Sequence, residues 1–498
     1  MSVVAVSFLI YTLGIAALGI WSVRYSRRSE ADFLLADRGL GAWVAALSAS
    51  ASAESGWVTL GLVGIAFKTG VGALWIVPGT VAAFIFNWFV LAPRLQKVSR
   101  ESNALTIPDV LAAPHRALPA MLIRVAGVLI ILSMLTAYVA AQLNAAGKTF
   151  QGTFDWDYRT GVLVGATIIL VYTIAGGFRA IAWTDVVQSI FMISAVTLVP
   201  AVLIAKLGGP GEFWNRLDTM EPNGSLTDPL AGKAGLALVG FLALWLGVPL
   251  GNPGQPHMLV RLMAVKDRTA IRRGGFISSC WVLVLFTGAV FLGMAARAYY
   301  GELDDPERAL PTIATDSNLI PGVVGGMLIA AILAAICSTA DSQLLVSASA
   351  ISHDLPVGIL GKRLTVVRKM FVDRAAVVLV GAVATAIALA EARSVFSFVL
   401  DYGWAGLGAG FGPPLIVSLL WKRTTGWGVL AGMIVGISTA IIWRQFPDLH
   451  AQLYNLVPAF LFSLAATYVV SLCTQRTLAP KQELGSENPD QHRVEHPS

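Results

Sequence analysis

The sequence predicts an all-α polytopic membrane protein organised around two five-helix blocks of opposite orientation. Three observations carry that prediction. Of 498 residues, 56% are hydrophobic and only 13% charged, about half the charge of a soluble domain. Apolar runs of bilayer-crossing length recur along nearly the whole chain. Two of those runs, five helices apart, are interrupted inside by polar or Pro- and Gly-rich stretches. The composition excludes a water-soluble enzyme, a disordered chain and a secreted disulfide scaffold. Cys280, Cys337 and Cys473 are scattered through apolar stretches at no metal-ligand spacing.

Thirteen segments of about 20 mostly apolar residues follow in order: 3–23, 41–66, 71–93, 121–143, 159–176, 185–205, 234–257, 275–297, 322–347, 374–391, 396–421, 427–444 and 455–474. The first lacks a basic leader and a small-residue cleavage site, so it is read as a retained helix. The polar segment 475–498 is read as a disordered cytoplasmic tail.

Orientation follows from Lys and Arg, which are in excess in cytoplasmic loops. With the N-terminus outside, the inner segments hold 25 of the 35 basic residues. They include Arg24, Arg27, Arg28 and Arg38, Arg94 to Arg124, Arg261 to Arg273, and Lys362 to Arg374. An N-out, C-in chain is therefore expected, with the acidic run 301–308 outside. The net charge of +6 is spread between apolar segments rather than gathered in a patch, so it reads as a topology signal and not as a nucleic-acid footprint.

The second and seventh segments are the interrupted ones. LSASASAESGW (47–57) sets small polar residues and a glutamate inside the first, and WLGVPLGNPGQPH (245–257) sets three prolines and three glycines inside the other. Proline removes a backbone donor and glycine favours unwinding. In a bilayer such breaks are tolerated beside a water-lined cavity or an ion. Each break opens a block of five helices, 41–205 and 234–421, and five is odd, so the second block is inverted. Broken helices at matching positions of two halves point to an inverted-repeat transporter with a midplane site.

Acids inside membrane segments are costly and default to functional hypotheses. Four qualify: Glu54, Asp185, Asp341 and Asp401. Asp185 is placed at the start of its helix, where the helix dipole favours an acid, and Asp401 near the outer interface. Asp341 follows the hydroxyl pair Ser338 and Thr339 and precedes Ser342. Hard cations want several oxygen ligands. Those hydroxyls, a carbonyl at Ala335 and carbonyls freed at the break 51–54 supply them. Phosphate-binding, zinc-protease and C-x-x-C motifs are absent. His115, His257 and His353 fall in or beside cytoplasmic loops, and the six histidines do not cluster at ligand spacing. An enzyme is therefore not expected, and neither is an organic cofactor.

Ordered motifs along residues 5–475 carry a resemblance. They are ALSASASAESGW (46–57), NALTIPD (103–109), TAY (136–138), GGFRAIAWTDVVQ (176–188), GQPH (254–257), AAICSTADSQLL (334–345) and YGWAGLGAGFGP (402–413). In these the chain resembles the solute:sodium symporter family, and within it the bacterial sodium/proline symporters. The resemblance implies a LeuT-type core of 5+5 inverted repeats in one transmembrane domain, 1–474. The segment 3–23 would be an extra N-terminal helix, 41–205 repeat 1, 234–421 repeat 2, and 427–474 two C-terminal helices.

It also implies a sodium ion as coupling ion, held by carbonyls of Ala51, Glu54 and Ala335 and by hydroxyls of Ser338 and Thr339. Ser55, Gly56, Trp57, Tyr138 and Pro256 match solute-pocket positions. Asp185 matches an aspartate linked to sodium coupling, with Asp341 and Ser342 as further coupling residues. The expected function is sodium-coupled import of a small organic solute, proline or a related amino acid, across a bacterial-type inner membrane. Three departures bear on it. Ala53 stands where proline symporters carry an aspartate, with Glu54 next to it, and Val248 and Asn252 stand where they carry a tryptophan and a tyrosine. The residues leave open proton coupling, another solute such as a carboxylate, vitamin or sugar, and a transport-fold nutrient sensor.

Overall fold

The structure, a computed structural model, describes residues 3–22, 30–175, 177–221, 224–358, 361, 365–390 and 394–475. The basic residues Arg24, Arg27, Arg28, Lys362 and Arg363, and the tail beyond Gln475, lie outside the described residues. Among the described residues the regular structure is helical, with one isolated bridge between Leu40 and Val265. Backbone groups in lipid must be satisfied within their own segment, and a helix does this.

The principal helices are α1 (Val3–Ser22), α2 (Ala42–Ala53), α3 (Ile76–Ile85), α4 (Ala117–Phe154), α5 (Tyr158–Ala175), α6 (Phe178–Lys206) and α7 (Gly235–Gly247). They continue with α8 (Pro256–Met263), α9 (Arg268–Tyr300), α10 (Gly322–Ser349), α11 (Val366–Ala390), α12 (Ala405–Leu420), α13 (Gly426–Arg444) and α14 (Leu456–Gln475). Among the described residues ten apolar helical stretches are long enough to cross a membrane, and three shorter ones are Val3–Gly19, Ala42–Ala53 and Tyr158–Val171. The division differs from the expected one. Segment 41–66 is cut at Glu54, and its second half runs on with segment 71–93 as one stretch, Trp57–Glu101.

The helix α10 is the centre of the body. From Leu328 to Ser349 every residue is buried, because its Ala, Ser and Gly side chains let neighbours approach closely. It packs against α1, α2, α4, α6 and α11. The periphery has the opposite character: Ile10, Leu13, Val171, Leu198, Phe276 and Phe371 are exposed, the apolar skin that acyl chains cover.

With 38 residues, α4 is about 57 Å long, well beyond the hydrocarbon thickness of about 30 Å. It carries an ion-pair group at each end. Near its start, Arg124 Nε donates to Asp109 at 3.0 Å. The other Asp109 oxygen meets His353 Nε2 at 2.7 Å, while His353 Nδ1 and Lys369 Nζ each reach Glu30 at 2.6 Å. The hydrogen bond from His353, joined by Lys369, holds the Glu30 carboxyl down at about 2 against burial. Burial pushes Asp109 up, but His353 and Arg124 overcome it and leave it below the usual carboxylate range. Asp109, His353 and Asp354 bring ligand atoms within 4.8 Å of one another, a grouping that sequence spacing hid. Arg124 already pairs with the Asp109 carboxylate in that grouping.

Near the far end of α4, Lys148 Nζ donates to Glu307 at 2.6 Å and to Asp305 at 2.9 Å. Glu307 also accepts from Ser394 Oγ and from the Val395 and Phe396 amides. The acidic run is partly buried here, because Glu307 caps the helical turn at Val395.

Close helix contact at Gly293 can be tested. A Cβ there would stand 2.3 Å from the Val63 carbonyl oxygen, whereas one at Gly14 meets nothing within 4 Å. Gly293→Val is expected to cost about 1–3 kcal/mol through overpacking and to lower the melting temperature in detergent. Gly14→Val is expected to melt like the parent. Equal melting of the two variants would contradict the packing.

Candidate ion and solute site

The first break is short. Helix α2 ends at Ala53, Glu54 is extended (φ −104°, ψ 100°), and a widened π turn resumes at Trp57. The second is longer: after α7 the chain tightens into a 3-10 turn, Val248–Gly254, and restarts as α8 at Pro256. At the first break the amides freed from the helix find side-chain partners. The Gly56 N–H donates to Gln142 Oε1 at 3.0 Å and the Trp57 N–H to Ser55 Oγ at 3.1 Å. Gly56 is packed so closely that a Cβ would touch Ala145 and Ile336 at 3.0 Å.

Helix α10 crosses beside the first break. Ser338 Oγ donates to the Ala51 carbonyl at 2.9 Å and lies 3.2 Å from the Ala335 carbonyl. The Oγ1 of Thr339, next to Ser338 in the chain, is fully buried and has no hydrogen-bond partner among the described residues. An orphaned buried hydroxyl costs about 1–3 kcal/mol, so it needs an explanation. Hydroxyl and carbonyl oxygens are the ligands that hard cations take.

Between the breaks lies a narrow cavity lined entirely by buried residues. Of the expected pocket residues, Trp57, Tyr138, Val248 and Asn252 line it, as does Glu54. Ser55 stands behind Tyr138, 3.5 Å from its hydroxyl. Gly56 and Pro256 are buried outside the lining. Sequence reasoning missed Ala53, Thr80 on α3, Phe286 on α9, and Val399, Leu400 and Trp404 on the π turn leading into α12. Trp404 was within the motif YGWAGLGAGFGP. Its Nε1 donates to the Val248 carbonyl at 2.7 Å, tying that turn to the second break. Two of the four π turns border the cavity, as such turns commonly do at functional sites.

The expected coupling residues sit elsewhere, in a dry polar network. Helix α6 begins at Phe178, seven residues before the expected start, so Asp185 lies two turns inside it. Asp185 pairs with Arg261 at 3.1 Å, their side chains 0% and 1% exposed. Arg261 and His257 were expected at a cytoplasmic loop. Both are buried in α8, because the chain restarts at Pro256 inside the protein. Asp185 also accepts from Ser48 Oγ at 2.6 Å and Ser52 Oγ at 3.2 Å. Arg261 donates to Ser48 at 3.0 Å, to Ser342 and to the His257 carbonyl. Ser342 donates to the Ser338 carbonyl at 2.6 Å and lies 3.1 Å from Asp341. The network thus joins α2, α6, α8 and α10 and ends one helical turn from the Ser338 hydroxyl. Asp401, on the π turn Val399–Trp404, meets Arg444 at the end of α13 and His450, each at 3.3 Å.

Arg261→Met would leave Asp185 buried without its charge partner, and losing one member of such a pair costs about 3–5 kcal/mol. The double variant Arg261→Met/Asp185→Leu removes both charges and is expected to lose less than the sum of its single changes. Chemical unfolding in detergent measures this, and strictly additive losses would contradict the coupling.

Comparison with known proteins places this geometry. The profile of the "Sodium:solute symporter family" matches residues 33–436. The chain is 38% identical over 464 residues to the "High-affinity proline transporter PutP" of Bacillus subtilis (strain 168), covering 92% of this chain and 95% of that one. It is 35% identical over 492 residues to the "Sodium/proline symporter" of Escherichia coli (strain K12), covering 97% and 95%. Among solved structures it is similar to a Na+-coupled sialic acid symporter in a substrate-bound outward-open state (TM-score 0.78, 16% identity, 98% of this chain and 100% of that one). It also resembles Mhp1, a nucleobase-cation-symport-1 family transporter, in a closed conformation (TM-score 0.56, 12% identity, 93% and 98%). At those identities the likeness concerns the fold, which is of the LeuT type. The match of the family profile over most of the chain, with relatives above 30% identity across nearly its whole length, establishes that this chain belongs to the sodium:solute symporter family.

Proposed function

We propose that the protein is a sodium-coupled symporter that imports proline, or a closely related amino acid, across a bacterial plasma membrane by alternating access. The observation that carries this reading is the seam between α2 and α10. There the Ser338 hydroxyl reaches the Ala51 carbonyl at 2.9 Å, beside the unpartnered Thr339 hydroxyl, one wall away from a buried cavity at both helix breaks. The solute is taken from the relatives, which are proline transporters over nearly the whole of this chain.

In this reading sodium sits at the seam, with carbonyls of Ala51, Glu54 and Ala335 and hydroxyls of Ser338 and Thr339 as ligands. The ion replaces the Ser338 proton as the link between the two helices. It draws the broken helix onto α10 and so changes the wall of the cavity where the solute lies. Trp57, Tyr138, Val248 and Asn252 contact the solute, while Ser55 orients Tyr138. Asp185, Ser342 and Asp341 carry the state of the seam toward α6 and α8. The segments 41–205 and 234–421 are the inverted repeats, with the N-terminus outside. The chain 1–474 works as one transmembrane domain. A membrane potential of about −100 mV contributes about 2.3 kcal/mol per charge moved, enough for roughly 50-fold accumulation at 1.4 kcal/mol per tenfold.

Uptake of radiolabelled proline into proteoliposomes under an inward sodium gradient tests this. The wild type is expected to accumulate proline only with sodium present. Ser338→Ala/Thr339→Ala is expected to raise the half-saturating sodium concentration at least tenfold, and unchanged sodium activation would remove the assignment of the seam. Accumulation in sodium-free buffer under a pH gradient would instead make the proton the coupling ion.

A further inference from the structure

One charged group in the cavity is not used by the ion site. Glu54 lends a backbone carbonyl to the seam, but its side chain lines the solute cavity and is 3% exposed. Among the described residues no salt-bridge partner faces that carboxylate, and no Lys, Arg or His is among the lining residues. A buried carboxylate without a counter-charge is expensive, and an occupant that brings a positive charge offsets that cost.

Two further lining groups share the same lack of partners. The Asn252 amide nitrogen reaches the Pro249 carbonyl at 3.4 Å, while its Oδ1 has no hydrogen-bond partner. The Trp57 Nε1–H is also buried and unpartnered. The cavity therefore offers the Glu54 carboxylate and Asn252 Oδ1 as acceptors and the Trp57 N–H as a donor, beside the hydroxyls of Thr80 and Tyr138. Around them stand the rings of Trp57, Tyr138, Phe286 and Trp404, whose negative faces favour a cation over an anion.

We infer that Glu54 and Asn252 form an ammonium-recognition pair, which makes a cationic nitrogen the feature of the solute that this transporter selects. A secondary ammonium presents two N–H donors, and the pair supplies two acceptors. A site built to hydrogen-bond a group rejects the analogue lacking it far more strongly than an apolar pocket rejects a missing methylene. Glu54, next to the departure at Ala53, and the departure at Asn252 are then one device: an acid and an amide oxygen meet the same nitrogen from the two broken helices. This assignment rests on the reading of the protein as a sodium-coupled symporter of an amino acid.

The test uses full-length protein in proteoliposomes, with radiolabelled proline and two competitors of the same ring size that keep the carboxylate and lack the ammonium, cyclopentanecarboxylate and tetrahydrofuran-2-carboxylate. Wild type is expected to bind both competitors at least 100-fold more weakly than proline. Glu54→Gln keeps the backbone carbonyl and the side-chain shape. It is expected to raise the KM for proline at least tenfold, to narrow the discrimination against both competitors, and to leave half-saturating sodium within twofold. Asn252→Leu is expected to move the same quantities in the same direction. Competition by either analogue at proline-like concentrations in the wild type, which requires no variant to fold, would overturn the assignment. So would a Glu54→Gln protein whose sodium dependence shifts while its proline KM does not. Sodium-independent or absent proline uptake by the wild type would instead overturn the symport reading beneath it.

Discussion

The buried pair of Arg261 and Asp185 is the constraint on which the arrangement of broken helices depends. Two opposite charges taken out of water keep their value only when their remaining donors and acceptors are also satisfied. Here Ser48, Ser52, Ser342 and the His257 carbonyl supply those partners. Each comes from a different turn of α2, α8 or α10, so the pair can be satisfied only when those helices and α6 sit in one register. That register places Ser338 against the Ala51 carbonyl and brings the two breaks to opposite walls of one cavity.

The two ends of the molecule are held by a different kind of contact. Along α4, Arg124 and Lys148 are about 36 Å apart at 1.5 Å per residue, with Tyr138 between them facing the cavity. Arg124 joins the group around Asp109, His353 and Glu30, and Lys148 joins Asp305 and Glu307. Ion pairs at the ends of a span lie where water can enter and replace their partners, unlike the dry network at the centre. A fold with an exchangeable clasp at each end and a rigid polar hub in the middle suits alternate opening around a fixed site.

The candidate site was legible in unequal parts. The breaks at 47–57 and 245–257 were visible because Pro, Gly and polar residues stand out against an apolar background. The hydroxyls of Ser338 and Thr339 were visible because they adjoin an acid in a membrane segment. Arg261 was misread because a basic residue a few positions after a break counts as a loop charge until the restart of the helix at Pro256 is known. Thr80, Phe286 and Leu400 were not visible at all. Threonine, phenylalanine and leucine in a membrane helix look alike whether they face lipid, a neighbouring helix or a cavity.

By itself, the sequence determined that the chain is helical and membrane-embedded, where its helices break and which family it belongs to. These are properties of composition and local order, and the bilayer makes them sharp by penalising every unsatisfied polar group. Only the tertiary structure decided that Asp185 pairs with Arg261, that Ser338 reaches Ala51, and that Glu54 lines the cavity between the breaks. Those facts join residues tens to hundreds of positions apart. They depend on helix rotation and register, which an almost uniformly apolar sequence encodes too weakly to read along one dimension.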